Sequence, residues 1–541
     1  MLPPFMPRKQ GRSGGSYFQT VGGAAVSGSC SKQDTPTSGK GASYAANTMN
    51  RHNNKKRRPV QTFRVLIIGS GFGGQCAAIN LLKAGITDFR LLERRDFFGG
   101  TWCQNTYPGA AVDVPSPLYS LSSAPFPWTQ MYAGQDELRR YTRHVVDRFG
   151  LEEKIELGAD VESMVWDDAS RQWTVQTSKG VFQGQFVINA SGPLSQPKLP
   201  SFEGMHLFEG KSFHSNRWEH DFDYRGKRVA IVGNGASAAQ IIPAIAPQVS
   251  HLHVFQRTAH WVLPRPDHRF KPFERRLLKW PLFYRLLRSL IYLKLESRFI
   301  GLKYSRAGIA VFERMARRHL ERQVKDPELR RRLTPDFTLG CKRVVLSSEL
   351  YPTLCRDNVT LHTEGIDRLD ASGIVTSDGQ PLEVDLIAWA TGFNATDDAI
   401  PYAVIGLNGK SLNDAWQPFP RAYLGTSVPG FPNLFVLAGP NTGSGHTSAL
   451  FMLEAQMRYV MACINAVNDQ GMRSVEVREE AEAAYTAKVH REMTKTVWSW
   501  GGCRSWYQNS SGKVVAMFPG FSCSFYWLAR KMKRDDHLLR E

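Results

Sequence analysis

Two glycine-rich turns, each set between an apolar strand and a helix, hold the residues whose types and spacing can do chemistry. Arg64-Val-Leu-Ile-Ile-Gly69 runs into Gly69-Ser-Gly71-Phe-Gly73-Gly74, after which Ala77, Ala78, Leu81 and Leu82 begin a helical period; Phe89-Arg-Leu-Leu-Glu93 follows as the next strand. Glycines here permit a tight turn and let backbone amides at a helix N-terminus approach a pyrophosphate, while Glu93 can accept both hydroxyls of a ribose. An acid at that place favours an unphosphorylated ribose, as in FAD or NAD. The pattern returns at Arg228-Val-Ala-Ile-Val-Gly233-Asn-Gly235-Ala-Ser-Ala238, with a helix to Ile245 and a strand from His251 to Arg257. Arg257 stands 24 residues after Gly233, as Glu93 stands 24 after Gly69. A guanidinium there pairs with a 2′-phosphate and so selects NADP. One such turn is an ordinary feature of α/β proteins. Two, with opposite discriminators, describe an oxidoreductase that holds FAD at one site and NADPH at the other, NADPH reducing the flavin.

The electrons then need an acceptor. Eight cysteines (30, 76, 103, 341, 355, 463, 503 and 523) form no C-x-x-C pair and no cluster with histidine, so neither a metal centre nor a dithiol beside the flavin is expected. Molecular oxygen is the obvious acceptor that remains, though composition does not show it. The same cysteine usage fits a reducing compartment and a cytoplasmic enzyme.

Further motifs carry a family resemblance. Phe208-Glu-Gly210-Lys-Ser-Phe-His214-Ser-Asn-Arg-Trp218 matches the F-x-G-x-x-x-H-x-x-x-W fingerprint of the Baeyer-Villiger monooxygenases, flavoproteins that insert oxygen beside a ketone carbonyl. Gly99-Gly100-Thr101-Trp102, Tyr107-Pro108-Gly109-Ala110 with Asp113, Gly340-Cys-Lys342-Arg343 and Cys503-Arg-Ser-Trp506-Tyr507 extend the resemblance from about residue 62 to about 530. Glu219 departs from the Pro or Asp usual after the fingerprint tryptophan. The resemblance implies a ketone and O2 as substrates, an ester or lactone as product, and a flavin peroxide as the attacking species. It also implies Arg343 as the fixed cation that stabilises negative charge, oriented by Asp113, and Gly100, Thr101, Trp102, Tyr107 and Asp113 on the flavin side. Trp506 would lie against the nicotinamide end of NADP in a loop that Gly501, Gly502 and Gly512 let move, a core tryptophan being the competing reading. His214 reads as a linker element rather than an acid or base. Related flavin monooxygenases that oxidise nitrogen or sulfur are the alternative, and a basic nucleic-acid or membrane-binding protein with a vestigial nucleotide fold is a remote one.

These residues require two doubly wound α/β dinucleotide-binding (Rossmann-like) domains. Ile188-Asn-Ala190-Ser-Gly192 and Ala390-Thr-Gly392 read as linkers, which gives a first FAD-binding part over 60–195, an NADP-binding domain over 196–384 with a helical insert at 268–335, and a second FAD-binding part over 385–541. The net charge of +19 is unevenly placed: residues 1–60 carry ten Lys/Arg against one acid, and 268–334 carry nineteen against six. The remainder is near neutral, which argues against a nucleic-acid-reading surface. The tail over 1–59, rich in Gly, Ser and Thr, reads as disordered; its lack of acids leaves organelle targeting open, and Lys55-Lys56-Arg57-Arg58 reads as a solvated run or an import signal. In the insert, Leu282, Phe283, Leu286, Leu287, Leu290 and Ile291 recur at helical spacing with Arg285 and Arg288 opposite. Such a stripe commonly covers a domain face, and its other meaning is contact with a membrane surface. A second basic helix is expected over Val311 to Gln323. The charge-free run Ala422–Leu453 is broken by three prolines and five glycines, which excludes a membrane-spanning helix there. Oligomeric state is not readable.

Overall fold

The structure, a computed structural model, describes residues 59–396 and 400–541. The tail reading for 1–59 therefore falls outside the described residues, Pro59 apart.

The apolar run Val65–Ile68 is buried on both faces, as the central strand of a covered parallel sheet must be. Its strand, Gln61–Ile68, lies between Phe89–Glu93 and Gly180–Asn189, both parallel to it, with Ile155–Leu157 beyond Phe89–Glu93. The ten-residue strand Gly180–Asn189 forks. Its first half pairs antiparallel with Gln172–Thr177, which leads to Val161–Asp167 and an edge strand Ala403–Ile405, while its second half pairs parallel with Leu434–Val436. Helices Phe72–Lys83 and Ala449–Asp469 cover one face through Ala77, Leu81, Met457 and Val460; Trp166, Trp173 and Phe431 fill the other.

A second sheet is entirely parallel, in the order Val359–His362, His251–Phe255, Arg228–Val232, Leu386–Trp389, Lys211–His214. Its first helix, Ala236–Ile245, packs Ile241, Ile242 and Ile245 against Val229, Ile231 and Leu252. Both expected nucleotide folds are thus formed. They are also built alike at the turn. A Cβ on Gly69 would lie 2.7 Å from the carbonyl oxygen of Ala190, and one on Gly233 would lie 2.4 Å from that of Ala390. In each fold the first glycine, at φ +95° and +121°, backs onto the residue that leaves the neighbouring strand.

The two chain crossings between the sheets run side by side. Lys198 donates its amide to the Gly392 carbonyl (2.9 Å), and Asn394 donates to Gln196 (3.0 Å). His214 joins the same point: its Nδ1 accepts from the Asn216 amide (3.1 Å), which leaves the proton on Nε2 to be donated to Gly392 (3.0 Å). Burial pushes this imidazole down to about 4, so it is neutral and acts as a linker bond.

The helical insert departs from the sequence reading in one respect. Helix Pro281–Glu296 buries Tyr284 and Leu295 and packs Leu287 and Ile291 on the first core, but Leu282, Leu286 and Leu290 face solvent. Arg288, expected on the solvent side with Arg285, is turned inward. Its Nη1 donates to the carbonyls of Pro117, Leu118 and Ser120 (3.0, 3.2 and 2.7 Å), and its Nη2 pairs with Glu454 (3.1 Å). The helical period explains the error: positions 284, 288, 291 and 295 form one face, and 282, 286, 290 and 293 the opposite one, so the six apolar residues never formed a single stripe. The second basic helix spans Arg306–Gln323.

Arg288→Met should lower stability by roughly 3 kcal/mol in a denaturant melt, because it takes the donor from the Leu118 and Ser120 carbonyls and leaves Glu454 half-buried with the Ser122 amide but no cation. A loss under about 0.5 kcal/mol would mean that the insert is held by its apolar contacts alone. A second expectation concerns acid. A histidine at about 4 when folded and 6.5 when unfolded takes up a proton on unfolding at any pH between, so stability should fall as pH drops from 6.5 to 4 and level off below. His214→Gln should reduce that slope by up to about 1.4 kcal/mol per pH unit; an unchanged slope would assign the acid sensitivity to other buried histidines.

Candidate active site

The first glycine turn is closed by backbone. Gly71 caps the helix Phe72–Lys83, and a Cβ on Gly74 would sit 2.0 Å from the Gly69 carbonyl oxygen. A second turn faces it: a Cβ on Gly100, at φ +62°, would lie 2.8 Å from the Gly71 Cα. Two backbones thus approach where a side chain would fill the space, which fits the pyrophosphate cradle of FAD. Glu93 is buried at the end of its strand, held by the Ser70 amide (3.0 Å) and hydroxyl (2.6 Å) on Oε2 and by the Arg95 amide on Oε1 (3.1 Å). The carboxylate is aimed at the turn.

At the second turn Gly235 caps the helix Ala236–Ile245, and a Cβ there would meet open space, which leaves the amides of that helix accessible to a phosphate. Ala238 is fully buried behind it. Arg257 is exposed beyond the strand His251–Phe255. A second cation accompanies it: Lys342 donates to the Thr258 hydroxyl (2.8 Å), and burial together with the nearby Arg257 charge pulls its ammonium below the usual lysine range. Two neighbouring cations suit a doubly charged 2′-phosphate. Lys342 was visible in sequence beside Arg343, but only the fold places it with Arg257.

Between the turns lies a tight backbone contact. Gly109, at φ +80°, would place a Cβ 2.4 Å from the Gln240 carbonyl oxygen on the helix Ala236–Ile245. The Gln240 side chain accepts from the Tyr107 hydroxyl (3.1 Å) and donates to the Ala111 carbonyl (2.9 Å). The segment Tyr107–Asp113 is therefore fixed to the second fold while it belongs to the first. At its end Asp113 takes both arms of Arg343, Nε to Oδ2 at 2.5 Å and Nη2 to Oδ1 at 2.6 Å. Arg343 is positioned by the parallel pairing of Val262–Leu263 with Val345–Leu346. Burial alone would raise the Asp113 carboxyl, but the guanidinium holds it below the usual carboxylate range; the carboxylate in turn raises Arg343 beyond its ordinary value. Tyr119 and Tyr507 close the group, each pushed up to about 12 by burial. Trp102 donates its indole N–H to the Tyr119 hydroxyl (3.0 Å), which connects Gly100-Thr101-Trp102 to the ion pair; Thr101 itself is exposed at the start of the short helix Thr101–Gln104.

Cys341 and Cys503, 162 residues apart, are joined in a disulfide. The cysteine pattern, with no C-x-x-C pair, reads as that of a reducing compartment, and this bond runs against that reading: spacing exposes local pairs, and this one is made by the fold. It fastens the residue two before Arg343 to the segment that carries Trp506. Gly501 lies against Cys341, a Cβ there meeting it at 2.7 Å, and accepts from the Thr338 amide (2.9 Å), so it is a packed position and not a hinge. Trp506 is 42% exposed with its ring 4.7 Å from Tyr507, which removes the core-tryptophan reading. Trp218, by contrast, is buried against Phe213 and Tyr224, while Glu219 pairs with Lys211 at the surface (2.6 Å), where its departure from the fingerprint costs the core nothing.

Residues 66–280 match the family described as pyridine nucleotide-disulphide oxidoreductase. A Baeyer-Villiger monooxygenase of Pseudomonas aeruginosa is 42% identical over 86% of this chain and 90% of its own, and one of Streptomyces coelicolor is 42% identical over 87% and 91%. Among solved structures, an oxidized steroid monooxygenase bound to NADP superposes with a TM-score of 0.80 at 29% identity, covering 89% of this chain and all of the other. A cyclohexanone monooxygenase from Rhodococcus sp. Phi1 bound to NADP+ gives 0.81 at 26% identity over 89% of this chain and all of its own. With both glycine turns, the fingerprint and the Arg343–Asp113 pair in one fold, the chain belongs to the Baeyer-Villiger monooxygenase family.

Proposed function

We propose that the protein is an FAD-containing, NADPH-dependent monooxygenase that inserts one oxygen atom of O2 beside a ketone carbonyl, giving an ester or lactone. The observation that carries this reading is the bidentate Arg343–Asp113 pair, set where the segment from the first glycine turn meets the second fold. Relatives support the cofactors: one is named an FAD-binding monooxygenase, and a structural neighbour is a complex with FAD and NADP. FAD, when bound at the first turn, supplies two-electron chemistry with NADPH and activates dioxygen.

The protein's own residues do the rest. Gly69, Gly71, Gly74 and Gly100 leave backbone amides for the flavin pyrophosphate, and Glu93 takes the ribose. Gly233, Gly235, Arg257 and Lys342 hold the NADP phosphates. Arg343 keeps its charge at any working pH, because Asp113 stabilises the cation. Asp113 occupies Nε and Nη2, so Nη1 is the arm left by that pair to meet the negative charge that oxygen insertion places beside the carbonyl. Preorganisation matters more than the charge alone: the guanidinium is locked before substrate arrives, so no reorganisation is needed as charge develops. Tyr119 and Tyr507 lie beside the ion pair, with Trp102 behind Tyr119, and reduce its exposure to solvent, to 33% for the Arg343 side chain and 26% for Asp113. The domain reading, with the first sheet binding FAD through parts of the chain on both sides of the NADP-binding sheet, belongs to the same proposal.

Arg343→Ala should leave NADPH able to bleach the flavin but cut ester formation on the order of a hundredfold or more, with hydrogen peroxide released instead. Stopped-flow absorbance and product mass read both halves, and substantial ester from this variant would overturn the assignment. A thioether offered beside the ketone tests the nitrogen- and sulfur-oxidising alternative. Arg257→Ala should reduce the preference for NADPH over NADH by about ten- to 150-fold in affinity, the equivalent of roughly 1.5 to 3 kcal/mol. Lys342→Ala should act in the same direction; if both variants discriminate as the parent does, the phosphate lies elsewhere.

A further inference from the structure

Helix Pro281–Glu296 has two apolar faces, and only one of them is explained by the core. The other carries Leu282, Leu286, Leu290 and Leu293, which are 81, 57, 57 and 63% exposed, with Trp280 at 67% just before the helix. Four leucines along one solvent face are not scattered surface apolar residues; a contiguous stripe of this kind marks a contact. Its borders are basic. Arg285 lies along one edge and Lys294 along the other, and Arg275, Arg276 and Lys279 are exposed just before the helix. The acids of this stretch do not neutralise them: Glu274 is spent on the Lys271 amide and His268, and Glu296 is buried with His446 and Ser522. A second group adjoins it. The ring of Tyr292 stacks on Phe451 (4.7 Å), which packs on Tyr526 (5.6 Å), and this brings the helix Ser522–Leu528 alongside, where Trp527 is 63% exposed with Arg530 over its ring.

We infer that this face docks on an anionic lipid bilayer, the leucine stripe and the two tryptophans entering the interface while the flanking Arg and Lys meet the headgroup charge. An amphipathic stripe with a basic border has the chemistry of an interfacial helix, and aromatic residues with nearby arginine suit the headgroup level. The charge also selects among occupants. A second copy of this chain would bring one basic border against another, and the chain's own N-terminal sixty residues, with ten Lys/Arg against one acid, carry the same sign. None of the described helices is long and apolar enough to cross a membrane, so the contact is peripheral. It is independent of the oxygenase reading.

The full-length protein should sediment with phosphatidylserine-rich vesicles and not with phosphatidylcholine vesicles. Leu286→Glu combined with Leu290→Glu should lower that partition by about tenfold or more, with an unchanged thermal melt, since both positions face solvent. Because the N-terminal residues are the same in both proteins, the difference reads the helix alone. Equal binding by the double variant would assign lipid contact to the N-terminal charge and overturn the proposal, as would absence of binding by the parent. A dimer in sedimentation velocity that the double variant abolishes would give the face to a second copy instead.

Discussion

A guanidinium half-withdrawn from water between two nucleotide folds is stabilised by the carboxylate locked to it, and the Arg343–Asp113 pair is the interaction on which this site depends. Desolvation works against both ions, and a bidentate geometry with matched charge is what offsets it. The partners are 230 residues apart, so their meeting depends on everything that fixes the two folds together: Gly109 lying against Gln240, the Tyr107 and Ala111 bonds to the same side chain, and the short strand pair that delivers Arg343. Loosening any of them leaves a half-buried cation without its counter-ion.

How much of this was legible in the sequence follows how far apart the interacting residues are. The glycine turns, their strands and helices, and the Glu93 and Arg257 discriminators are local, and each strand or helix formed within a few residues of its expected limits, because apolar period and turn chemistry decide them. Arg343 with Asp113 entered only through the family resemblance; nothing in either neighbourhood names the other. Lys342 lay beside Arg343 unread, since its meaning comes from the Arg257 charge that the fold brings near. The Cys341–Cys503 bond was missed for the same reason. The insert failed differently: a helix with leucines on both sides shows a strong apolar period, but period alone does not say which side meets protein, and the inward turn of Arg288 had no local signal.

The two folds repeat one solution at the point where the chain is tightest. Ala190 and Ala390 each back the first glycine of a turn, and each begins a crossing between sheets. The crossings are bonded to one another and to His214, whose proton is fixed on Nε2 by its neighbours. The fingerprint is therefore not a set of reacting groups. Its histidine ties the crossings, its tryptophan fills the second core, and the residue after Trp218 lies at the surface, paired with Lys211.

The disulfide has a mechanical meaning for the segment that bears Trp506. Ordinary closing loops are tethered at both ends by backbone and can lift from the middle like a strap. Here the upstream end is riveted to the residue two before Arg343, with Gly501 wedged against the same sulfur-bearing side chain. Downstream of Trp506 the chain is held again: Tyr507 is buried, and its carbonyl accepts from the Val515 and Ala516 amides. Trp506, three residues from the rivet and next to that anchor, is kept close to the segment that carries Arg343. The backbone around Trp506 is thereby pinned on both sides, and its exposed ring is the part left free to turn.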